Sequence, residues 1–254
     1  MRVSNYGFLL SNLILRDFRI RYRNMSLGVF WSLLNPLVMM AVLTFIFTKV
    51  FITNEIHNFH VFVLCGIIPF NFFAVAWVSG TMSIFQNAGL VKRVILPREI
   101  VPISTVLANC IHFLIQIALL VAVVLAAGYP LNRYWMMLPA IFGLEVAFVC
   151  GLSLITSALD AYFRDVRYVV ESANTILFWM VPIFYSSDVV PARFHPLYQY
   201  NPIAAVVLAC RNIMLDGHAP PPTLLYKLFF VSTLSLTLGL LVFGRLKRRF
   251  ADYL

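Results

Sequence analysis

Few side chains within the apolar parts of this sequence carry ionisable groups that could do chemistry. Glu145 and His112 lie inside long apolar runs, and Asp160 lies near the end of one of them. Ionisable groups at membrane depth are costly to maintain and commonly serve ion or proton transfer. One carboxylate and one histidine give only a short proton relay, and the simpler interpretation is a polar contact that holds two helices together. We favour that structural role.

A nucleotide-binding or hydrolytic site is not predicted. The sequence holds four lysines and none follows a glycine, so it lacks the GxxxxGK[ST] phosphate-binding loop. It also lacks the HExxH motif and a serine–histidine–aspartate arrangement. Its four cysteines lie in apolar surroundings without CxxC spacing, which predicts neither a metal site nor a disulfide framework. We therefore expect no enzymatic activity and no cofactor in this chain. If ATP drives it, another polypeptide binds the ATP.

The composition indicates that long apolar helices position these residues. Hydrophobic residues make up 61% of the 254 residues and charged residues only 11%, which is more apolar surface than a soluble domain could bury. The net charge of +9 comes from basic residues between the apolar runs, as the positive-inside rule requires, and no nucleic-acid partner is predicted. The predicted fold class is an all-α integral membrane protein, with a single domain over residues 1–254.

Six membrane spans are predicted from apolar runs of about 20 residues, the length that crosses a bilayer. The further apolar segment 203–214 has only about 12 residues, so we predict a re-entrant helix within an outer loop, 188–222. The predicted spans are 30–50, 59–86, 100–127, 135–159, 171–187 and 224–244.

The N-terminal segment 5–25 is predicted to form an amphipathic helix in the membrane interface. Leu10, Ile14 and Phe18 recur on one face, whereas Arg16 lies among the polar residues of the opposite face. Arginines on such a helix contact lipid headgroups or a cytosolic partner. Six spans place both termini in the cytoplasm together with fourteen of the nineteen lysines and arginines, and a seventh span would break this bias.

Two connections between predicted spans mix basic and apolar residues. They are segments 87–102, which contains Pro97 and Pro102, and 161–167. Such segments form short helices that lie across the membrane surface and dock in the groove of a partner. The alternative is a pair of plain turns whose charges follow the positive-inside rule and form salt bridges. We favour docking.

Short motifs that extend over nearly the whole chain match the pattern of one family. Each motif is weak alone, and the set in this order is specific. The motifs are Arg16-Asp17, Arg21-Tyr22, Leu27-Gly28, Trp31, Pro36, Gly66 to Pro69, Lys92 to Glu99, Tyr162 to Asp165, Trp179, Pro182-Ile183, Tyr185 and Tyr200 to Pro202. Together they resemble the ABC-2 type permeases that export bacterial polysaccharides such as O-antigen, capsule and teichoic acid.

This resemblance implies a homodimer of six-span subunits that works with two copies of a separate ATPase. The ATPase would bind ATP and magnesium. A lipid-linked polysaccharide would move between the two permease copies, from the cytoplasm across the bacterial inner membrane. An interfacial N-terminal helix and short re-entrant helices before the sixth span are also implied. Membrane lipids complete the expected partners.

The same resemblance implies roles for three sets of residues. The interfacial set, which would contact the ATPase and headgroup phosphate through the planar guanidinium of arginine, is Arg16, Asp17, Arg21 and Tyr22. The set that would couple to the ATPase is Lys92, Arg93, Pro97, Arg98, Glu99, Arg164 and Asp165. The set that would line the glycan path, on spans one and five, is Phe30, Trp31, Phe178, Trp179 and Tyr185.

Two other functions stay open. An ABC-2 exporter of a drug or lipid would share this topology, although the Arg-Asp, Arg-Tyr and Leu-Gly motifs near the N-terminus favour a glycan. An ion-coupled carrier that uses Glu145 or His112, or an integral-membrane enzyme, would work without an ATPase. Replacement of Glu145 by glutamine would abolish the activity of such a carrier, whereas in an exporter it would at most change stability.

Overall fold

The fold is entirely helical in the part of the chain that the structure, a computed structural model, describes. That part comprises residues 6–23, 28, 30–50, 56–93, 97–186, 191, 193, 200–247 and 250. Within it, five helices are long and apolar enough to cross a membrane. The predicted class, an all-α integral membrane protein, is confirmed.

The helices follow one another with short connections. The second continues as a π-helix, Ile46–Val50, and a 3₁₀ turn, Arg133–Met137, leads into the sixth. In chain order they are α1 Tyr6–Tyr22, α2 Phe30–Phe45, α3 Phe59–Gln86, α4 Ala88–Arg93, α5 Ile100–Ala126, α6 Leu138–Asp160, α7 Val166–Met180, α8 Pro202–Met214 and α9 Pro222–Leu246.

Helix α3 is the centre of the bundle and packs against α2, α5, α6, α7 and α8. Its aromatic rings interlock with its neighbours, because Phe72 stacks on Phe113 of α5 at 4.4 Å and Phe73 on Phe148 of α6 at 6.2 Å. Gly66 allows a close approach, since a Cβ there would lie 3.1 Å from the Cα of Ile183. This core holds the spanning helices in fixed positions around the polar sites described below.

Helices α6 and α9 cross at close range. A Cβ on Gly151 would overlap the backbone carbonyl of Ser235, and a Cβ on Gly239 would overlap the backbone of Gly151. The hydroxyl of Ser235 donates to the carbonyl oxygen of Phe148 at 3.1 Å. Small residues allow two membrane helices to approach in this way and to gain van der Waals contact and interhelical hydrogen bonds.

The predicted fifth span, 171–187, is wrong at both ends, because α7 covers Val166–Met180. Its 15 residues extend about 22 Å at about 1.5 Å per residue, less than the roughly 30 Å of a bilayer core. The helix ends because Pro182 disfavours helical backbone at Val181, which is extended with ψ 135°. Val181 and Ile183 are fully buried, so this irregular segment is enclosed by protein. Residue 187 lies outside the described residues.

Helix α8 enters the bundle without crossing it. Asn201 begins it by accepting from the backbone N–H groups of Ile203 and Ala204 at 3.0 and 3.4 Å. Its first residues lie beside the middle of α3, and the carbonyl of Ile213 near its end accepts from Asn132, next to the 3₁₀ turn, at 2.7 Å. The predicted outer loop around it, 188–222, falls partly outside the described residues.

Candidate functional site

Helix α1 is joined to the spanning helices by a polar network. Arg16 pairs with Asp17 at 2.8 Å, and its Nη2 also donates to the side-chain oxygen of Asn87 at 2.6 Å. The other carboxylate oxygen of Asp17 accepts from the hydroxyl of Thr105 on α5 at 3.3 Å. Arg16 and Asp17, two residues of the predicted interfacial set, therefore hold α1 against the α3–α4 junction and α5. The expectation for α1 was a helix that lies in the membrane interface.

Arg21, further along α1, reaches the polar face of α5. Its Nη1 donates to the side-chain oxygen of Asn109 at 2.7 Å, and Asn109 in turn donates to the hydroxyl of Ser79 on α3 at 2.9 Å. Phe18 stacks on the imidazole of His112 with ring centroids 5.2 Å apart. The backbone of Tyr22 ends the helix, and its side chain lies outside the described part.

A cavity of about 240 Å³, lined by both polar and apolar side chains, lies where α1, α2, α3 and α5 meet. Gln116 closes one side by donating to the backbone oxygen of Ser32 at 2.8 Å. We call this space the α1 cavity. Its lining is Arg21, Trp31, Ser32, Asn35, Asn71, Phe72, Val75, Asn109, His112, Phe113 and Gln116. Carboxamide, imidazole and guanidinium groups in a cavity between spanning helices can bind a ligand with phosphate or hydroxyl groups.

The first predicted coupling segment is bonded to the end of α9. The ammonium of Lys247 lies 3.0 and 3.2 Å from the two carboxylate oxygens of Glu99. Arg98 donates to the backbone oxygen of Lys247. Lys92 is exposed at the end of the short helix α4, Pro97 is half-buried, and the side chain of Arg93 lies outside the described part.

The second predicted coupling segment, 161–167, lies at the same end of the bundle as the first. We call this end, which carries Lys92, Arg98, Arg164, Arg167 and Lys247, the basic end. The guanidinium of Arg164 lies 4.7 Å from the ring centroid of Phe85, and Arg167 pairs with Asp160 at 3.5 Å. The hydroxyl of Tyr162 donates to the backbone oxygen of Leu246 at 2.7 Å. The end of α9 therefore binds both segments together. Asp165 is exposed at the start of α7.

Helix α7 carries a mixed polar and aromatic stripe on its exposed side. Tyr168, Glu171, Ser172, Thr175 and Trp179 are exposed and recur at three- and four-residue steps, so they share one face. By contrast, the exposed side of α9 carries several leucines, phenylalanines and threonines and no carboxylate. A carboxylate on the outer face of a membrane helix requires water or a protein partner, because lipid cannot solvate it.

The predicted path residues divide between exposed and packed positions. Phe30, Trp31 and Trp179 are exposed, whereas Phe178 is half-buried and packs edge-on against Trp179 at 5.6 Å. The hydroxyl of Tyr185 folds back onto the backbone oxygens of Trp179 and Met180 at 3.3 and 3.0 Å. The structure therefore brings the three residues near the end of α7 into one aromatic group and leaves the two on α2 apart from it.

The chain matches the family model of the ABC-2 type transporter over residues 9–215. It belongs to the ABC-2 type transporter family. The family expected from the sequence motifs is thereby confirmed. Curated relatives match along nearly their full length.

Three of these relatives illustrate the range of similarity. The O-antigen export system permease protein RfbA of Klebsiella pneumoniae is 33% identical over 98% of this chain and 97% of its own length. The protein of the same name from Myxococcus xanthus is 26% identical over 97% of this chain and 95% of its own. The polysialic acid transport protein KpsM of Escherichia coli is 25% identical over 91% of this chain and 90% of its own.

Sequence reasoning missed a buried arginine in this ABC-2 transporter. Arg211 on α8 donates to the backbone oxygens of Pro182 and Ile183, each at 2.6 Å, and of Phe62 at 3.2 Å, and its guanidinium lies 3.4 Å from the Phe62 ring centroid. A lone arginine in the apolar segment 203–214 was the available signal.

The α1 cavity was also missed, although α5 carries a signal for it. Thr105, Asn109, His112 and Gln116 follow one another at three- and four-residue steps, and so mark one polar face of an apolar helix. The cavity itself needs α1, α2 and α3 as well, and sequence spacing does not show which helices meet there.

Glu145 does not make the helix-to-helix contact expected of it. Its side chain is fully buried, and neither carboxyl oxygen has a hydrogen-bond partner among the residues that the structure describes. Glu145 is thus an isolated polar group in the core of the bundle.

The described residues contain no cluster of three or more histidine, cysteine, aspartate or glutamate side chains that could hold a metal ion.

Proposed function

We propose that this chain is the membrane-spanning permease subunit of an ATP-driven exporter of a lipid-linked polysaccharide. Relatives that match along nearly their full length are named as permeases for O-antigen export and as polysialic acid transport proteins, which supports this class of cargo. In this proposal the chain lies in the bacterial inner membrane with both termini in the cytoplasm. It has no catalytic role, and ATP and magnesium bind to a separate ATPase.

The observation that carries the proposal is the exposed stripe of α7. In a homodimer, two copies of α7 that face each other would enclose a path whose walls are Glu171, Ser172, Thr175 and the ring of Trp179. Hydroxyl and carboxylate groups exchange hydrogen bonds with sugar hydroxyls, and aromatic faces pack on the C–H faces of sugar rings. The exposed Phe30 and Trp31 of α2 would add further aromatic surface beside this path.

Two copies of the ATPase would dock at the basic end. The predicted coupling residues Lys92, Arg164 and Asp165 are exposed there and available to a partner. The bonds of Arg98 and Glu99 to Lys247 support a connected function for this surface, because movement of the α4–α5 connection would also move α9.

The experiment that tests this proposal is co-purification with the ATPase encoded beside the gene. We expect a complex of two permeases and two ATPases whose ATP hydrolysis depends on the permease, and loss of the surface polysaccharide when the gene is deleted. A permease that purifies without any ATPase would contradict the proposal. If the complex forms but the deletion strain keeps its surface polysaccharide and loses efflux of a drug or lipid, the proposed cargo is wrong and the rest of the proposal stands.

A second candidate, an ion-coupled carrier, is favoured by one observation. Glu145 is a buried carboxyl without a hydrogen-bond partner among the described residues, as a proton-carrying group would be. Such a carrier would transport without ATPase and would stop when a proton ionophore is added. Permease-dependent ATP hydrolysis together with ionophore-resistant export would exclude it.

A further inference from the structure

Two carboxamides of the α1 cavity lack partners in the part of the chain that the structure covers. The side chains of Asn35 on α2 and Asn71 on α3 line the cavity and form no hydrogen bond with any described residue. Asn71 lies within the apolar helix α3, is only half-buried, and lines the open space of the cavity. Polar groups in such a position need a ligand or an ordered water.

The other polar groups of the cavity are held in place by the protein. Asn109 accepts from Arg21 and donates to Ser79, and Gln116 is anchored on the backbone of Ser32. Arg21 therefore presents its guanidinium at a fixed position on the cavity wall. A fixed guanidinium beside carboxamides that have no partner among the described residues suits a phosphate ester that carries hydroxyl or acetamido groups.

The size and position of the cavity limit what it can hold. At about 240 Å³ it is smaller than the roughly 300–1,000 Å³ of most small-molecule pockets, so it fits a headgroup and excludes a polymer. Its exposed lining residues, Trp31, Asn35 and Val75, lie on the outer side of α2 and α3, where a lipid chain could remain in the membrane. An exposed indole at such a mouth is typical of the membrane–water interface.

We propose that the α1 cavity binds the phosphate-bearing headgroup of a membrane lipid, with Arg21 on the phosphate and Asn35 and Asn71 on its hydroxylated or acetamido substituent. The headgroup could belong to the lipid-linked glycan, in which case the site selects the exporter's cargo and rests on the proposed function. It could also belong to a glycerophospholipid with a hydroxylated headgroup, such as phosphatidylglycerol, which offers a phosphate and hydroxyl groups as well.

The test measures lipid binding to the full chain in phosphatidylcholine nanodiscs, without ATP or ATPase. The probes are a polyprenyl diphosphate that carries one N-acetylglucosamine, the same polyprenyl diphosphate without the sugar, and phosphatidylglycerol. The variants are Asn71→Leu and Asn35→Ala, and the second replaces an exposed side chain that the core does not need. Gln86→Leu is the matched control, because it removes a carboxamide at the C-terminal end of α3, outside the cavity.

We expect at least one probe to bind the wild type, and each cavity variant to weaken that binding about tenfold while Gln86→Leu does not. Tighter binding of the sugar-bearing probe identifies the lipid-linked glycan as the source, and equal or tighter binding of phosphatidylglycerol identifies a glycerophospholipid. The proposal is overturned if no probe binds the wild type, or if both variants bind as the control does. Because no ATPase is present, failure here leaves the exporter function intact, and failure of ATPase co-purification leaves this binding result intact.

Discussion

The guanidinium of Arg211 lies 2.6 Å from the carbonyl oxygens of both Pro182 and Ile183, at the point where α7 gives way to irregular backbone. Irregular backbone at membrane depth exposes carbonyl groups that a helix would have paired, and these groups are costly to leave unpaired in an apolar setting. Arg211 supplies the missing donors from α8. One side chain therefore allows α7 to end short of a full membrane crossing.

Replacement of Arg211 by methionine should destabilise the fold strongly. The change leaves the buried carbonyl oxygens of Pro182 and Ile183 without a donor, and each unsatisfied buried group costs about 1–3 kcal/mol. We expect a total loss of about 3 kcal/mol or more, visible as a lower melting temperature in detergent. Arg211→Lys should recover only part of it, since an ammonium cannot reach all three oxygens. Asn212→Ala, at the next position, is the control, and equal melting of Arg211→Met and this control would contradict the role.

A side chain at Gly151 should separate α6 from α9. The Cβ of Gly151→Ala would overlap the backbone of Ser235, and overpacking of this kind costs about 1–3 kcal/mol. Gly143→Ala on the same helix is the matched control, because a Cβ there meets no atom within 4 Å. Expression level and melting temperature should fall for the first variant and stay unchanged for the second. A stable Gly151→Ala protein would show that the two helices can move apart at little cost.

Loss of the ion pair between Glu99 and Lys247 should uncouple ATP hydrolysis from export with little effect on stability. Both side chains are about one third exposed, and pairs of this kind contribute only about 0–1 kcal/mol. We expect Glu99→Gln to lower export per ATP hydrolysed several-fold at an unchanged melting temperature. The charge swap Glu99→Lys with Lys247→Glu should restore part of the coupling. Arg133→Gln, which lies outside the basic end, is the control. If Glu99→Gln exports as much per ATP hydrolysed as this control, the ion pair is only a surface contact.

Replacement of Glu145 by glutamine should leave export intact. A buried carboxyl without a hydrogen-bond partner among the described residues contributes no interaction that the fold would lose. Glu145→Leu should therefore keep or raise the melting temperature, because an apolar side chain suits the site better. Export by both variants is the measurement that decides. Loss of export with the ATPase complex still assembled would instead assign Glu145 a role in transport and favour the carrier.

The long spans could be predicted from the sequence because their signal is local. The span predicted at 59–86 needs only an apolar run of sufficient length, and α3 occupies the same residues. The end of α7 was misplaced because hydropathy continues past Pro182, whereas the helix does not. Arg211 was missed for a related reason. Its partners lie in α3 and after α7, far away in sequence, and no local pattern links them.

The sequence could name candidate site residues but not the residues that they contact in the structure. Arg16 and Asp17 were expected to contact headgroups or a partner protein, and in the structure they bond to Asn87 and Thr105. Arg98 and Glu99 were expected to contact an ATPase, and they bond to the end of α9. Tertiary contacts of this kind depend on how helices meet, which one sequence does not show. The roles of these residues in transport and coupling stay predictions.

The bonds at the end of α9 also limit how the basic end can move. Tyr162 donates to the backbone oxygen of Leu246, and Arg98 donates to that of the next residue, Lys247. The α4–α5 and α6–α7 connections therefore cannot slide past each other without breaking one of two adjacent hydrogen bonds. A force applied to either connection is therefore transmitted to the other through the end of α9. A partner that binds only one of the two connections would still move α9. It would also move α6, because α6 and α9 cross closely at Gly151.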